Sequence, residues 1–368
     1  MKLCILCNFG PYYSGKDVVC GGSEKVIRDI SERLVSEYNY KVDIYAYNYK
    51  KPFRCNNINL FPCPKGDKFI KKISNKYSHI FVYSDSQWNW GDILRNIDRI
   101  DCTVSCSLVG AYNMRNDVHL LKLLKENIDR FNIITHSSIT EDYKWCVDND
   151  LPVTVIPNGV SLLEFNDNII NFREKYNIKE KYIILSVNNY FYGKGFELFP
   201  KIYKKLEKNI KDFVILSISN TVKYPYDKIF LDRTKKQSNG MNIRFLRDLP
   251  REDVVAAFKW SDIFLQISKK EVAPLVILEC RAAKLPYISM NIGNTEENAG
   301  GIVIDNSEED YKGYKVVNDI IMKRYIINIT NILEDNNLKN KLITDGQKDL
   351  EKIGWKDIVP LYHEVFSK

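Results

Sequence analysis

Short runs of β-branched and aromatic residues alternate along the chain with amphipathic segments, and the alternation occurs twice. In the first half, helical spacing of Val26, Ile30 and Leu34 marks GGSEKVIRDISERLVSEY as a helix. The runs that predict strands there are LCILCNF, KVDIYAY, HIFVYS, DCTVS, FNIITH and VTVIP. In the second half, KYIILSV, DFVILSI, MNIRFL, SDIFLQI and LPYISM predict strands, and GFELFPKIYKKL, PREDVVAAFKW and PLVILECRAAK predict helices between them. This pattern predicts an α/β fold with mainly parallel sheets.

A turn signal, IPNGV at 156–160, separates the two halves. We therefore predict two Rossmann-like, doubly wound domains over 1–157 and 158–354, facing a central cleft, followed by a helix at about 355–368. A chain of 368 residues is comfortable for two domains. In such sheets ligands bind outside the carboxyl ends of the strands, close to helix N-termini.

Composition excludes several classes of function. A net charge of +7 without an aromatic–basic stripe argues against a nucleic-acid partner. The nine cysteines form no regular framework, and the opening MKLCILCNFGPYY reads as a strand and not as a secretory signal, so we expect reduced thiols and a cytoplasmic location. The four histidines are isolated, so we expect no metal site.

One basic segment stands out. KGDKFIKKISNKY carries Lys65, Lys68, Lys71, Lys72 and Lys76 against a single aspartate. Such a patch could engage anionic lipid at a membrane surface, which would make the protein peripheral. A solvated loop and helix face explains the same residues equally simply.

The stretch KKEVAPLVILECRAAK places two carboxylates, Glu271 and Glu279, eight positions apart. Pro274 suits the first turn of a helix, and the free amides of Leu275 and Val276 at that helix start would form an anion site. A diphosphate-linked ligand could lie across this helix start with one carboxylate near each end, each accepting hydrogen bonds from sugar-like hydroxyls. Alternatively, Glu271 is only a partner of the helix dipole and Glu279 only a surface residue.

SDIFLQISKKEVAPLVILECRAAKLPYIS resembles the signature of retaining glycosyltransferases of the family-4 type, which have the GT-B fold. Four further stretches resemble that family in the expected order: GGSEKVIRDISERL, VTVIPNGVSLLEF, YIILSVNNYFYGKGFELF and MNIRFLRDLPREDVVAAFKWSDIFL. GWKDIVPLYHEVF is similar to the family's closing helix, which packs back on the first domain. The resemblance covers nearly all of the second half and, in the first half, mainly residues 1–45.

The resemblance implies a role for each matching residue. Glu271 would position the donor sugar, Lys194 would neutralise the departing diphosphate, and Glu279 would bind the ribose. The other implied donor-binding residues are Gly22, Asn189, Ala273, Pro274, Leu275, Val276 and, in a loop over 246–249 that would receive the base, Leu246 and Arg247. Gly21 would approach the acceptor or donor phosphate, and Asp85 is an acceptor candidate that could equally be a surface residue.

The chain departs from the family pattern at three places. One is Ala273, which stands where phenylalanine is common in the family. Where the family has arginine in V-G-R, this chain has Val187-Asn188-Asn189, so one diphosphate partner is missing. Histidines that the family often carries near the sugar are absent at HIFVYSDSQW and DCTVSCSLVG. These departures concern the expected activity more than the expected fold.

These observations predict a metal-independent, retaining glycosyltransferase without a required cofactor. Its partners would be a nucleotide-diphosphate sugar and a hydroxyl acceptor on a glycan, a glycolipid or a protein glycan. The sequence leaves open a UDP-, GDP- or ADP-sugar donor. It also leaves open an epimerase or phosphorylase of GT-B type and a sugar-nucleotide binder that has lost catalysis.

Overall fold

The structure is a computed structural model that describes residues 1–8, 21–47, 49–55, 57–64, 66–83, 87–109, 115–167, 169–220 and 225–368. The described chain divides into two compact units. The first contains Gly22–Gly159 and Lys352–Lys368 together with the opening strand, and the second is formed by Val160–Glu351. Each unit is built on one sheet, as the two rounds of strand–helix alternation predict.

The first unit contains an eight-stranded sheet in the order β3-β4-β2-β1-β5-β6-β7-β8. All pairings are parallel except β3 with β4, which is antiparallel. The strands are β1 (Lys2–Cys7), β2 (Lys41–Ala46), β3 (Phe53–Cys55), β4 (Ile58–Pro62), β5 (His79–Tyr83), β6 (Thr103–Ser107), β7 (Phe131–Thr135) and β8 (Val153–Val155). The helices are α1 (Gly22–Tyr38), α2 (Asp67–Ile73), α3 (Gln87–Arg95), α4 (Val118–Glu126), α5 (Glu141–Asp148) and α14 (Trp355–Phe366).

The helix α14 belongs to the first unit although it is last in the chain. It buries one apolar face, including Trp355 and Tyr362, and its Phe366 ring lies 4.9 Å from that of His79. His79 is fully buried and bonds Thr103 Oγ1 at 2.9 Å and Ser105 Oγ at 2.7 Å. Burial lowers the pKa of His79 to about 3, because the charged imidazolium would lose its hydration there. This histidine is therefore a neutral core residue.

The second unit contains a six-stranded, wholly parallel sheet in the order β11-β10-β9-β12-β13-β14. Its strands are β9 (Tyr182–Val187), β10 (Phe213–Ser219), β11 (Ile243–Arg247), β12 (Ile263–Gln266), β13 (Tyr287–Met290) and β14 (Gly301–Ile304). Its helices are α6 (Leu162–Asn166), α7 (Phe172–Lys175), α8 (Phe199–Leu206), α9 (Pro225–Gln237), α10 (Arg251–Trp260), α11 (Leu275–Ala282), α12 (Asp319–Glu334) and α13 (Asn336–Gln347). The strand order reverses between β9 and β12, which is the doubly wound arrangement.

Buried apolar residues of the strands and helices form the core of each unit. Every residue of β5 and β10 is buried, as expected for parallel strands covered on both faces. The long helix α12 is capped by Asn318, whose side chain accepts hydrogen bonds from the amides of Ile320 and Ile321, and it buries an apolar face against the second sheet. In the described part of the chain, no helix is long and apolar enough to cross a membrane.

Three strands were not predicted from the sequence: β3, β4 and β14. Strands β3 and β4 form a short hairpin at the edge of the first sheet. The first two residues of β3 are exposed, so this strand needs no alternating apolar pattern and shows none that would predict it. The thiols of Cys4 and Cys7 are both buried and free within β1, in agreement with their interpretation as strand residues.

Candidate functional site

The candidate site lies where the second sheet reverses its strand order. Strands β9 and β12 are neighbours, and the chain leaves them toward opposite sides of the sheet. The crevice outside the carboxyl ends of two such strands is where open α/β sheets bind ligands. Lys194 follows β9 and Glu271 follows β12, so both predicted catalytic residues lie at this switch point.

The loop that carries Lys194 depends on glycine on both sides. Gly193 accepts a hydrogen bond through its carbonyl from the Lys269 amide at 2.8 Å. Gly195 has φ of 71°, and a side chain there would collide with the carbonyl oxygen of Ile267. Glycine is the residue that tolerates both the positive φ and the close approach. The backbone of the lysine loop is therefore packed directly against the segment that follows β12.

Lys194 and Glu271 form an ion pair across the switch point. Lys194 Nζ lies 2.5 Å from Glu271 Oε1, and the two side chains are only 18% and 13% exposed. The same carboxylate oxygen accepts a hydrogen bond of 3.2 Å from Nε2 of Gln266, the last residue of β12, which is fully buried. The position of Glu271 is thus set by a lysine from one loop and an amide from the strand beneath it.

Beside Glu271 begins α11, whose first amides face no capping side chain. Pro274 is the N-cap residue, one position before the predicted first turn, and helical geometry starts at Leu275. Because the first amides of a helix have no intrahelical acceptor, the N–H groups of Leu275 and Val276 provide a partly positive surface suited to an anion. Ala273 and Pro274 are half-buried at this helix start.

Glycine also shapes the far side of this helix start. Gly293 has φ of 56°, and a side chain there would collide with the carbonyl oxygen of Val272. The Asn294 amide donates to that same carbonyl at 3.0 Å. The segment from Glu271 to Pro274 is therefore held on both sides, by the lysine loop and by the turn after β13.

Glu279 lies inside α11 and is 95% removed from solvent, so it is not the surface residue of the alternative interpretation. Arg251, near the start of α10, places Nη2 2.6 Å from Glu279 Oε1 and 2.7 Å from Glu164 Oε2. Burial alone would lower the pKa of Arg251, but the two carboxylates outweigh it and raise that pKa. Arg251 therefore stays charged and holds the carboxylate of Glu279.

The structure corrects one prediction about residues beside this site, and it places one further predicted residue without a contact to Lys194. Leu246 and Arg247 are not in a loop, because β11 continues to Arg247 and the turn begins at Asp248, which has φ of 54°. Asn189 follows β9 at an exposed position, and its carbonyl accepts a hydrogen bond from Phe191 at 3.1 Å. Its side chain is thus placed on the site loop but not engaged with Lys194.

Only some of the residues predicted to act in the first half lie in the part of the chain that the structure describes. Gly22 is the exposed first residue of α1, and Gly21 precedes it at a half-buried position. Asp85 and Lys65 lie outside the described residues. Of the other patch lysines, Lys72 packs its ammonium 5.2 Å from the centres of both the Tyr45 and Phe61 rings, which fits a helix face covering its own unit. The structure gives no support for a membrane role of the patch.

Sequence reasoning missed three contributors to the site: Gln266, the pair Lys269–Glu197, and Arg251. Lys269 Nζ lies 2.5 Å from Glu197 Oε1 and 3.9 Å from the centre of the Tyr192 ring. One signal was available, because a glutamine inside the apolar run IFLQI is unusual for a strand buried on both faces. In the described ranges, no cluster of histidine, cysteine, aspartate or glutamate has the arrangement of a metal site.

Comparison with known proteins identifies the second unit. Residues 168–349 match the family described as "Glycosyl transferases group 1". The chain carries a glycosyl transferases group 1 domain. This domain contains β9 to β14 and every site residue of the second unit discussed above apart from Glu164.

Two relatives in sequence are glycosyltransferases by name. The UDP-Gal:alpha-D-GlcNAc-diphosphoundecaprenol alpha-1,3-galactosyltransferase of Escherichia coli is 26% identical over 73% of this chain and 70% of its own length. An uncharacterized glycosyltransferase of Methanocaldococcus jannaschii is 26% identical over 95% of each chain. Together with the group 1 domain, these relatives establish that the protein is a glycosyltransferase.

Solved structures show the fold of the whole chain. Sucrose-phosphate synthase from Thermosynechococcus elongatus has a TM-score of 0.77 at 14% identity, covering 100% of this chain and 99% of its own. HepE of Anabaena, solved with UDP and glucose, has a TM-score of 0.73 at 13% identity with the same coverage. These likenesses confirm the predicted GT-B fold, with a Rossmann-like domain in each half.

Proposed function

We propose that this glycosyltransferase moves a sugar from a nucleoside-diphosphate sugar to a hydroxyl acceptor, without a metal ion and with retention at the anomeric carbon. The observation that carries the proposal is the Lys194–Glu271 pair, 2.5 Å apart beside an uncapped helix start at the switch point. A cation, exposed helix amides and a carboxylate are what a diphosphate with a sugar attached requires.

The donor would lie across the start of α11. The amides of Leu275 and Val276 and the ammonium of Lys194 would bind the diphosphate, and Glu271 would accept hydrogen bonds from sugar hydroxyls. Glu279, held by Arg251 through Oε1, would offer Oε2 to the ribose. Arg247 and Leu246, at the end of β11, would border the base. Gly22, Gly21 and Asp85 of the first half would contact the donor phosphate and the acceptor.

The reaction breaks the bond between the anomeric carbon and the diphosphate oxygen. Negative charge grows on the diphosphate as this bond lengthens, and Lys194 with the helix amides would stabilise that charge. The acceptor oxygen attacks from the face that the diphosphate leaves, and its proton passes to a phosphate oxygen of the leaving group. No metal is needed in this scheme, because the charge is met by groups of the chain itself.

The relatives favour a uridine donor and a glycan or lipid-linked acceptor. The E. coli relative is named for UDP-galactose and a diphosphoundecaprenol-linked sugar, and the Anabaena structures hold UDP. A lipid-linked acceptor would bring the protein to a membrane surface, where Lys68, Lys71 and Lys76 would be the residues to test. UDP-sugars are therefore the first donors to examine.

The test is donor turnover followed by proton NMR in buffer containing EDTA. Wild-type protein is incubated with UDP-galactose or UDP-glucose and a lipid-diphosphate-linked sugar, and both UDP release and product anomer are recorded. An α-linked product from the α-linked donor supports the proposal. Glu271→Gln and Lys194→Met should each lower the rate at least 100-fold, whereas Lys201→Met, an exposed lysine of α8, should not. Loss of all turnover in EDTA, restored by Mg²⁺, would refute metal independence.

The same assay separates the proposed function from its rivals. An epimerase would convert the donor sugar without an acceptor, and a phosphorylase would require inorganic phosphate. A sugar-nucleotide binder without catalysis would bind UDP but release none from any donor. The asparagine at position 189, where the family has arginine, is the feature that makes this last outcome worth measuring.

A further inference from the structure

Two ion pairs join the two loops at the switch point, and each loop contributes the lysine to one pair and the glutamate to the other. Lys194 of the loop after β9 pairs with Glu271 of the loop after β12. Lys269 of the loop after β12 pairs in turn with Glu197 of the loop after β9, also at 2.5 Å. Each loop thus gives one lysine and one glutamate to the other.

The Lys269–Glu197 pair is enclosed to about the same degree as the Lys194–Glu271 pair. Its side chains are 10% and 18% exposed, and the Lys269 ammonium also lies 3.9 Å from the centre of the Tyr192 ring. The second carboxylate oxygen of Glu197, Oε2, is buried and has no hydrogen-bond partner. Because a charge in such a position is costly to leave unpaired, the pair should persist whether or not donor is bound.

Backbone contacts join the same two loops on either side of Lys194. The Lys269 amide donates to the Gly193 carbonyl, and Gly195 packs on the Ile267 carbonyl. Lys194 lies between these two contacts, and Glu197 lies two residues beyond the second. The ion pair therefore completes a set of cross-loop contacts that places the Lys194 ammonium opposite Glu271.

We propose that Lys269 and Glu197 are positioning residues of the transfer reaction. Resting on the proposed function, this inference holds that the pair stays closed while the donor replaces the Lys194–Glu271 contact. It keeps Lys194 aimed at the leaving diphosphate. The pair touches neither the start of α11 nor Glu279, so nucleotide affinity should depend on it weakly and the rate of bond breaking strongly.

A matched control is available at the opposite, amino-terminal end of the strands of the same sheet. Glu180 precedes β9, pairs with Arg244 at 2.9 Å, and is 17% exposed in its side chain, against 18% for Glu197. Glu197→Gln and Glu180→Gln therefore each remove one negative charge from an ion pair of similar burial. The two pairs lie at opposite ends of the strands of the same sheet. Lys269→Met and Lys269→Arg form a second comparison, since arginine keeps the cation over the Tyr192 ring.

The experiment measures kcat for UDP release from the donor and, by calorimetry, the Kd of UDP, in the full-length protein at a temperature where circular dichroism shows it folded. We expect kcat to fall about 10- to 100-fold in Glu197→Gln and Lys269→Met, with the Kd of UDP changed less than about threefold. Glu180→Gln should match wild type, and Lys269→Arg should recover most of the rate.

Two results would overturn the inference, and they differ from failure of the proposed function. If wild type turns over donor and Glu197→Gln has the same kcat as Glu180→Gln, the pair has no positioning role. If Lys269→Arg is as slow as Lys269→Met, charge at this position is not what matters. If wild type itself releases no UDP from any donor, the proposed function fails first.

Discussion

Neutralising Glu271 should tighten the binding of UDP while it slows transfer. Lys194 is paired with Glu271 at 2.5 Å, so a diphosphate must compete with that carboxylate for the ammonium. Glu271→Gln keeps the size and a hydrogen-bond acceptor but removes the competing charge. UDP, which carries no sugar for Glu271 to contact, reports this competition alone.

The size of the effect follows from the burial of the pair. Exposed ion pairs contribute about 0–1 kcal/mol, and breaking fully buried ones costs about 3–5 kcal/mol. Side chains that are 18% and 13% exposed lie between these limits, so we take about 1–2 kcal/mol for the competing charge. At about 1.4 kcal/mol per tenfold, the Kd of UDP should fall about 5- to 30-fold in Glu271→Gln.

Isothermal titration calorimetry of wild type, Glu271→Gln and Glu180→Gln with UDP measures this directly. Glu180 is 17% exposed and is also ion-paired, with Arg244, but it lies at the other end of β9, so its neutralisation should leave the Kd unchanged. An unchanged or weaker UDP affinity in folded Glu271→Gln would refute the competition between carboxylate and diphosphate. A tighter affinity in both variants would point to a general charge effect.

Three further predictions concern the same fold. Burial lowers the pKa of His79 to about 3 in the folded protein, whereas an unperturbed histidine has a pKa of about 6.5. Between about pH 3 and about pH 6.5, His79 therefore binds a proton only in the unfolded chain. Its contribution to stability is therefore present above pH 6.5 and lost as the pH falls, by up to about 1.4 kcal/mol per unit, so urea denaturation should show a steeper pH dependence for wild type than for His79→Gln. Gly195→Ala should lower stability by at least about 1–2 kcal/mol, the cost of the left-handed conformation, with a further penalty from the Ile267 carbonyl; thermal melts that match wild type would contradict it. Arg251→Met should weaken UDP binding but not 2′-deoxy-UDP binding, if Arg251 acts by holding Glu279 for the ribose; equal weakening of both nucleotides would contradict that role.

The sheets were predictable because parallel strands covered on both faces read as uninterrupted apolar runs. All eleven strands named from such runs lie within or across β1, β2, β5 to β13. The edge hairpin of β3 and β4 was not predictable, since exposed edge residues need no apolar pattern. The order of strands is also not written in local sequence, and it is this order that brings β9 beside β12.

For the site, the sequence predicted residues but not their partners. The proline before α11 gave local geometry, because proline restricts φ directly. The pairing of Lys194 with Glu271, 77 positions apart, depends on the strand order and could not be read from spacing. Arg251 was overlooked for the same reason, since it meets Glu279, 28 positions later in the chain, only in the folded unit.

We propose that the second unit binds a nucleoside diphosphate without a metal ion, through Lys194 and the start of α11. The most direct test is the thermal melting of wild type and Lys194→Met with UDP, GDP and ADP in EDTA. A nucleotide at 100 times its Kd stabilises the fold by about 2.7 kcal/mol. We predict this stabilisation in wild type with one of the three nucleotides, and we expect that nucleotide to be UDP. In Lys194→Met, the same nucleotide concentration should give no stabilisation or a markedly smaller one. If folded wild-type protein shows no shift with any nucleotide, or if Lys194→Met shifts as much as wild type, the donor site proposed here is wrong.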